Sequence, residues 1–365
     1  MMKYIKTEEA AGHVLCHDIT QIIPGRFKGT AFRKGHIVTA EDIPVLLSLG
    51  KENLYVWERK EGILHEDEAA YLLADLCLGD GLVISGQPRE GKIEIKAAAD
   101  GLLKVDDKKL RAVNGLGEMM IATRHGNFPV KKGQTAGAMR VIPLVIEEEK
   151  MKQARQVCRD LGGGPILKLM PMGKPRTAVV VTGSEVAKGR IEDAFGPAVE
   201  AKLKEYDVPV MSRQIVSDDI ESIIQAIRKA ADDGAEMILC TGGMSVDPDD
   251  RTPGAIKSLG AEIVTYGAPV LPGAMFLLAY YNADGDRGRH CGHAAADVSP
   301  ADGAARTIPV MGLPGCVMYS RRTIFDLILP RVLAGDNIDD IAGYGQGGLC
   351  LNCETCVFPD CGFGK

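Results

Sequence analysis

Two stretches, Thr177-Ala-Val-Val-Val-Thr-Gly183 and Ala235-Glu-Met-Ile-Leu-Cys-Thr-Gly-Gly243, are almost uninterrupted apolar runs, each ending in a Thr-Gly turn. A strand with one wet face alternates polar and apolar residues, whereas a continuous run suits a strand covered on both faces, as in a parallel sheet. Such a sheet needs helical crossovers, and amphipathic stretches stand in the right places. Phe195, Val199 and Leu203 form one stripe, and Ile220, Ile223, Ile224 and Ile227 form another. Asp218 is placed to cap the second helix, with Glu221 completing a capping-box-like start. Ala261–Gly267 and Thr307–Gly315 read as two more strands, and Cys316–Gly335 as a final helix. The expected fold is a three-layer α/β domain over residues 174–335, with a mostly parallel sheet and right-handed crossovers.

A chain of 365 residues holds more than one domain. Residues 1–60 read as a β-rich unit with a brief helix in Thr39–Gly50, N-capped by Thr39. Residues 61–142 read as a second small α+β unit that opens with a helix in Glu66–Gly79. Residues 143–173 supply a connecting helix and linker, with Met151, Ala154, Val157, Cys158 and Leu161 at helical spacing before Gly162, Gly163 and Gly164 end it. A Cys-rich tail occupies 336–365. Residues 281–307 are rich in Gly, Ala and Asp, lack periodicity and are expected to form a mobile surface loop.

A formal net charge of -6 supplies no basic field for nucleic acid or an anionic membrane surface, so an anionic ligand must be held locally. The chain has no long apolar run of membrane-spanning length and no signal-peptide pattern at Met1–Val14, which points to a cytoplasmic protein. Of ten cysteines, six (Cys16, Cys77, Cys158, Cys240, Cys291 and Cys316) are scattered and suit free thiols in a reducing compartment.

The turns after the two buried runs carry the chemistry. Thr182-Gly183-Ser184-Glu185 and Thr241-Gly242-Gly243-Met244-Ser245 would lie at the carboxyl ends of parallel strands, where backbone N–H groups can surround an anion. Either turn alone reads more readily as a tight strand-to-helix connection, and it is the two together that point to a ligand. Glu185, Asp247, Asp249 and Asp250 would repel a phosphate unless a divalent cation lay between, and Mg²⁺ is bound in this way by a few carboxylates plus substrate phosphates. The plain structural role for Asp250 is to cap the helix that follows Pro253.

These turns belong to a longer ordered pattern: Thr182–Val186, Gly189–Asp193, Val216–Asp219, Thr241–Ser245 through Asp250-Arg251-Thr252, and Gly312-Leu313-Pro314-Gly315. The pattern resembles the molybdopterin-binding domain shared by molybdopterin molybdotransferases, molybdopterin adenylyltransferases and gephyrin. The β-rich segment upstream resembles the molybdotransferase branch. The resemblance implies a protein of molybdenum-cofactor biosynthesis, a transferase that binds molybdopterin or its adenylate with Mg²⁺ and assists molybdate insertion. Carried over, Glu185 and Asp250 would position magnesium and act in catalysis. Thr182, Gly183, Ser184, Asp218, Thr241, Gly242, Gly243 and Ser245 would line the phosphate side, and Pro314 and Gly315 the pterin side. The implied partners are molybdate, other cofactor-assembly proteins or recipient molybdoenzymes, and a second copy in a homodimer.

The chain departs from the pattern at several positions. Ser184 and Asp247 stand where the family often has Asp and Gly, Pro272-Gly273-Ala274 replaces Pro-Gly-Lys, and Cys316-Val317 follows Leu-Pro-Gly in place of Asn-Pro. The lost lysine and asparagine suit a second reading, a non-catalytic molybdopterin carrier or sensor. The pair Asp249-Asp250 before Thr252 also resembles a third class, the competence-damage-type nucleotide hydrolase.

In the tail, Cys350, Cys353, Cys356 and Cys361 are spaced by two, two and four residues. Four thiolates so arranged suit a tetrahedral Zn²⁺ or a [4Fe–4S] cluster, and the spacing leaves both open. His290, Cys291 and His293 form a weaker transition-metal candidate.

Overall fold

In the computed structural model, residues 2–23, 27–57, 61–245, 247, 250–284, 306–339, 341, 343–344 and 347–365 are described. They fall into two units: Met1–Ala99 with Lys104–Arg124 and Lys131–Leu169, and Met170–Lys365 with Asp100–Leu103 and His125–Val130.

In the first unit, strand Met2–Lys6 pairs antiparallel with Asn53–Trp57, and Ile19–Ile23 pairs with Phe27–Phe32. Their apolar sides meet over a small core that includes Leu15, Ile19, Leu46 and Val56. The short helix expected here spans Asp42–Ser48, but Thr39 does not cap it as an acceptor. The Thr39 N–H and hydroxyl both donate to Asp42 Oδ2, at 2.8 and 2.9 Å, so the acidic first-turn side chain reaches back and closes the turn. Further along, four antiparallel strands (Leu82–Ile84, Ile93–Ala97, Thr135–Val141 and Met119–Thr123) form a sheet against which helix Glu66–Cys77 packs. The helix at 143–161 forms as Glu148–Asp160, with Met151, Ala154 and Cys158 on its buried side. Where a linker was expected, Leu167–Met170 is a strand, because Leu167 and Leu169 alternate inward around an exposed Lys168.

In the second unit the elements are β1 (Thr177–Thr182), α1 (Ser184–Ala187), α2 (Phe195–Lys204), β2 (Val210–Val216), α3 (Ile220–Asp232), β3 (Met237–Thr241), α4 (Thr252–Ser258), β4 (Glu262–Tyr266), β5 (Leu277–Asn282), β6 (Thr307–Leu313) and α5 (Ile324–Leu333). They build a six-stranded sheet in the order β2-β1-β3-β6-β5-β4. The pairs β2-β1, β1-β3 and β3-β6 are parallel, while β5 runs antiparallel to both β6 and β4.

The reason β1 and β3 read as continuous apolar runs is visible in the packing. Val179 and Val181 of β1, with Met237 and Leu239 of β3, join Val199 and Leu203 of α2 and Phe325 and Ile328 of α5 in one core layer. Ala178, Val180, Ile238 and Cys240 point the other way, onto Ile223 and Ile227 of α3 and Ile256 of α4. The three-layer α/β architecture with a mostly parallel sheet is therefore present as expected.

Several local expectations are corrected. The α3 N-cap is Asp219, not Asp218: its Oδ1 accepts the Ser222 N–H at 2.8 Å. Glu221 accepts from the Gln225 side chain at 3.0 Å instead of closing a capping box. The final helical stretch divides into a 3-10 turn, Gly315–Met318, and α5, whose start is closed by Thr323 and Asp326 in a capping box. Of the stretch 281–307 expected as a mobile loop, Tyr281 and Asn282 belong instead to β5 and Thr307 to β6, each paired across the sheet, and residues 285–305 lie outside the described residues. His290, Cys291 and His293 lie outside the described residues.

Leu239 has no exposed surface and sits between β1 and β6. Leu239→Ala is expected to lower the unfolding free energy by about 2–5 kcal/mol, read as a shifted urea midpoint at unchanged slope.

Candidate functional site

The sheet register brings the sequence motifs to one edge. Val181 lies opposite Thr241, Thr241 opposite Leu313, and Thr182 opposite Val216. The segments that follow these residues, Gly183–Glu185, Gly242–Ser245, Pro314–Gly315 and Ser217–Asp219, therefore leave the sheet side by side at its carboxyl end. The chain passes from β1 outward to β2, then returns past β1 to β3. The loops after β1 and β3 thus flank a topological switch point, the place where open α/β sheets receive ligands.

A hydroxyl network ties these loops together. Thr252, fully buried at the start of α4, donates from Oγ1 to the Gly242 carbonyl at 2.8 Å. That leaves Thr182 as the donor in the 3.2 Å contact between the Thr182 and Thr252 hydroxyls. The Thr252 N–H closes the loop on the Gly243 carbonyl at 3.2 Å. The sequence places Thr252 in the ordered pattern but not as a structural centre, because a Thr beside Pro253 in the first turn of a helix reads as an ordinary N-terminus. Gly242 is obligatory here: at φ +86°, an added Cβ would lie 2.2 Å from the Thr182 carbonyl oxygen.

Two of the carboxylates are engaged within the loops. Asp218 Oδ2 accepts the Ser184 N–H at 2.7 Å, linking the β1 and β2 loops. Asp250 Oδ2 accepts the Ser245 N–H at 2.8 Å, and the Asp250 N–H reaches the Asp247 carbonyl at 2.9 Å. Asp250 therefore rigidifies its own loop and does not cap α4, where Arg251 occupies the N-cap position without a side-chain bond. Glu185, Ser245, Asp247 and Gly315 are exposed, whereas Thr182, Thr241 and Pro314 are buried beneath the loops. Gly183, Ser184, Asp218, Gly242, Gly243 and Asp250 are half-buried. Asp249 lies outside the described residues. Among the described residues, no three His, Cys, Asp or Glu side chains form a ready-made metal ligand group.

Tyr266, absent from the sequence-based candidates, ends β4 at the same edge of the sheet, in register with Leu277 and through it with Gly312. Partial burial, with the nearby Asp250 charge, pushes its hydroxyl pKa up. Tyr266 is 47% exposed, so an aromatic residue stands at the surface beside the acidic loop.

Comparison with known proteins gives these loops a context. Residues 178–334 match a family described as a probable molybdopterin binding domain. This segment is a molybdopterin-binding-family domain. Residues 4–58 match a domain of unknown function. A molybdopterin molybdenumtransferase of Staphylococcus epidermidis is 31% identical over 119 residues, 31% of this chain and 28% of that protein. A CinA-like protein of Mycobacterium avium is 36% identical over 90 residues, 24% of this chain and 21% of that protein. Among solved structures, the tungsten cofactor synthesizing protein MoaB of Pyrococcus furiosus aligns at 20% identity with a TM-score of 0.32, covering 44% of this chain and 92% of that one. The chain thus spans less than a third of the length of the two sequence relatives.

Two outcomes follow for the molybdopterin-binding domain. Gly242→Ala is expected to destabilise it by about 1–3 kcal/mol, since strain adds to a backbone clash, whereas Gly315→Ala, with nothing within 4 Å of the added carbon, should be near neutral. Differential scanning of the two variants distinguishes them. The second concerns acid. The Ser217 hydroxyl and Ser222 hold the Asp219 carboxyl down to about 2, below the unfolded value. This contribution to stability is present above the unfolded pKa and disappears as pH falls through about 2. Asp219→Asn should flatten the acid limb of a melting-temperature profile between about pH 4 and pH 2 and leave the neutral limb parallel to the parent.

Proposed function

We propose that this chain binds molybdopterin or its adenylate at the carboxyl edge of the β1-β3-β6 strands and assists the loading of molybdate in molybdenum-cofactor biosynthesis. The observation that carries this reading is the convergence of the Gly183–Glu185, Gly242–Ser245 and Pro314–Gly315 loops at the switch point of a molybdopterin-binding-family domain. The name of the Staphylococcus epidermidis relative, a molybdopterin molybdenumtransferase, supports transfer over simple storage.

The loops suit a phosphorylated ligand in two ways. Glycines at 242 and 243 let backbone approach closely, and the Thr252 network holds that backbone in place, so N–H donors are pre-oriented without reorganisation on binding. The reading includes Mg²⁺, which commonly takes one or two protein carboxylates and completes its octahedron with water and phosphate oxygens. Glu185 and Asp250 would hold it, and the ion would neutralise charge on the phosphate and on the incoming oxyanion. Asp250 would then serve twice, with one oxygen keeping the Ser245 loop closed. Tyr266 offers its ring face to a planar pterin.

A second reading has a specific observation behind it. Ala274 stands where the resembled pattern has a lysine, and the loss of that one cation favours a carrier that binds the pterin without insertion. The nucleotide hydrolase reading, resting on Asp249-Asp250 before Thr252, would show turnover of ADP-ribose or a pyridine nucleotide with no pterin present.

The discriminating experiment is rescue of nitrate reductase activity in a molybdotransferase-null cell, paired with calorimetry on authentic molybdopterin. Rescue by the parent chain and at least tenfold loss with Asp250→Ala, at an unchanged melting profile, is the expected result. Saturable binding without rescue would establish the carrier, and absence of binding heat would defeat the pterin assignment altogether.

A further inference from the structure

The tail is docked on the second unit at both ends. The Leu271 N–H donates to the Gly348 carbonyl at 2.6 Å and the Cys350 N–H to the Leu271 carbonyl at 2.7 Å, with Leu349 bridged to Leu271. Gly348 comes so close that an added Cβ would meet the Pro269 carbonyl at 2.2 Å. At the far end Phe363 is buried in the core, its ring 6.3 Å from Phe358, which in turn lies 5.9 Å from Phe128. Between these anchors, Leu351–Phe358 carries no helix or strand, and Cys353 and Cys356 are exposed.

All four tail thiols line one cavity of about 790 Å³. Its walls are largely apolar, with Val270, Leu271, Val357 and Phe358 among them, and its cationic members are Arg321 and Arg322. Arg321 Nη1 donates to the carbonyls of Cys353 and Glu354, so it steers the thiol-bearing loop. Arg322 lies 4.8 Å over the Phe358 ring and is fixed by Glu205 and Asp326 at 2.8 and 2.9 Å.

We propose that Cys350, Cys353, Cys356 and Cys361 bind a [4Fe–4S] cluster in this cavity. The inference is independent of the pterin reading. Two features favour a cluster over a single zinc ion. The four ligands come from one short run, as in cluster-binding segments, and not from two separated pairs as in most structural zinc sites. The apolar wall, with the Arg321 guanidinium held against the thiol-bearing loop, suits the negative charge of a thiolate-ligated cluster, which such surroundings tune. The thiols surround the cavity without forming a ready ligand group, and a coil segment between fixed ends can close on a metal as it binds. Elsewhere among the described residues, burial pushes the Cys240 thiol up to about 12, which keeps it protonated, whereas Cys353 and Cys356 are exposed.

The test is metal and acid-labile sulfide analysis of the full chain, purified anaerobically and also reconstituted with ferrous iron and sulfide. About four irons and four sulfides per chain are expected, with visible absorption that bleaches on dithionite reduction. Cys353→Ser and Cys356→Ser, at exposed positions, should each reduce iron content at least threefold while the melting temperature of the metal-free chain is unchanged, and Cys316→Ser, outside the cavity, should retain the iron. One zinc per chain without sulfide, no iron after both preparations, or full iron in the Cys353→Ser/Cys356→Ser double variant would each overturn the proposal.

Discussion

The covering of β1 and β3 by helices on both faces is the constraint from which the rest of this unit follows. Side chains alternate across a strand, so Val179 and Val181 drive α2 and α5 to one side while Ala178 and Val180 drive α3 and α4 to the other. Neither helix layer would be anchored without the other, and a one-residue slip of β1 would exchange the two sets of contacts. The parallel register that results places the carboxyl ends of three neighbouring strands level with one another. That alignment is the physical origin of the site.

At this edge polar groups do what apolar ones do in the core. Backbone bends that leave the sheet expose N–H and carbonyl groups, and each buried one must find a partner. Thr252 serves Gly242 and Gly243 together, Asp218 serves Ser184, and Asp250 serves Ser245. The β3 loop is therefore held from within by Asp250 and Thr252, while Asp218 and Thr182 tie the neighbouring loops to one another. The carboxylates in this arrangement have a structural task that coexists with any role toward a ligand.

The tail shows the same logic with different chemistry. Its ends are fixed by main-chain hydrogen bonds and by Phe358 and Phe363, while the segment bearing Cys353 and Cys356 lacks regular structure. Six of the chain's cysteines are scattered along it, and four of these are buried in the described residues, where desolvation suppresses ionisation. The remaining four were conspicuous in the sequence by crowding alone; their placement around one cavity beside Arg321 and Arg322 was not.

Local information was enough to identify the two buried strands, the helix stripes of α2 and α3, the ordered glycine turns and the crowded thiols, because each is written in the spacing of adjacent residues. It was not enough for β2 and β5, whose pairing depends on neighbours far along the chain, nor for the strand Leu167–Met170. Caps were displaced by one residue or reversed, as at Asp219 and Asp42, since several short acidic side chains compete for the same N–H and only the final backbone path chooses among them. Tyr266 was likewise silent, and Thr252 was legible as a motif position but not in its role, for a hydroxyl's importance lies in what is brought to it across the sheet edge. Sequence determined which segments must be buried and what chemistry the turns carry; only tertiary structure decided which turns meet, because contact between distant residues is set by strand order and register.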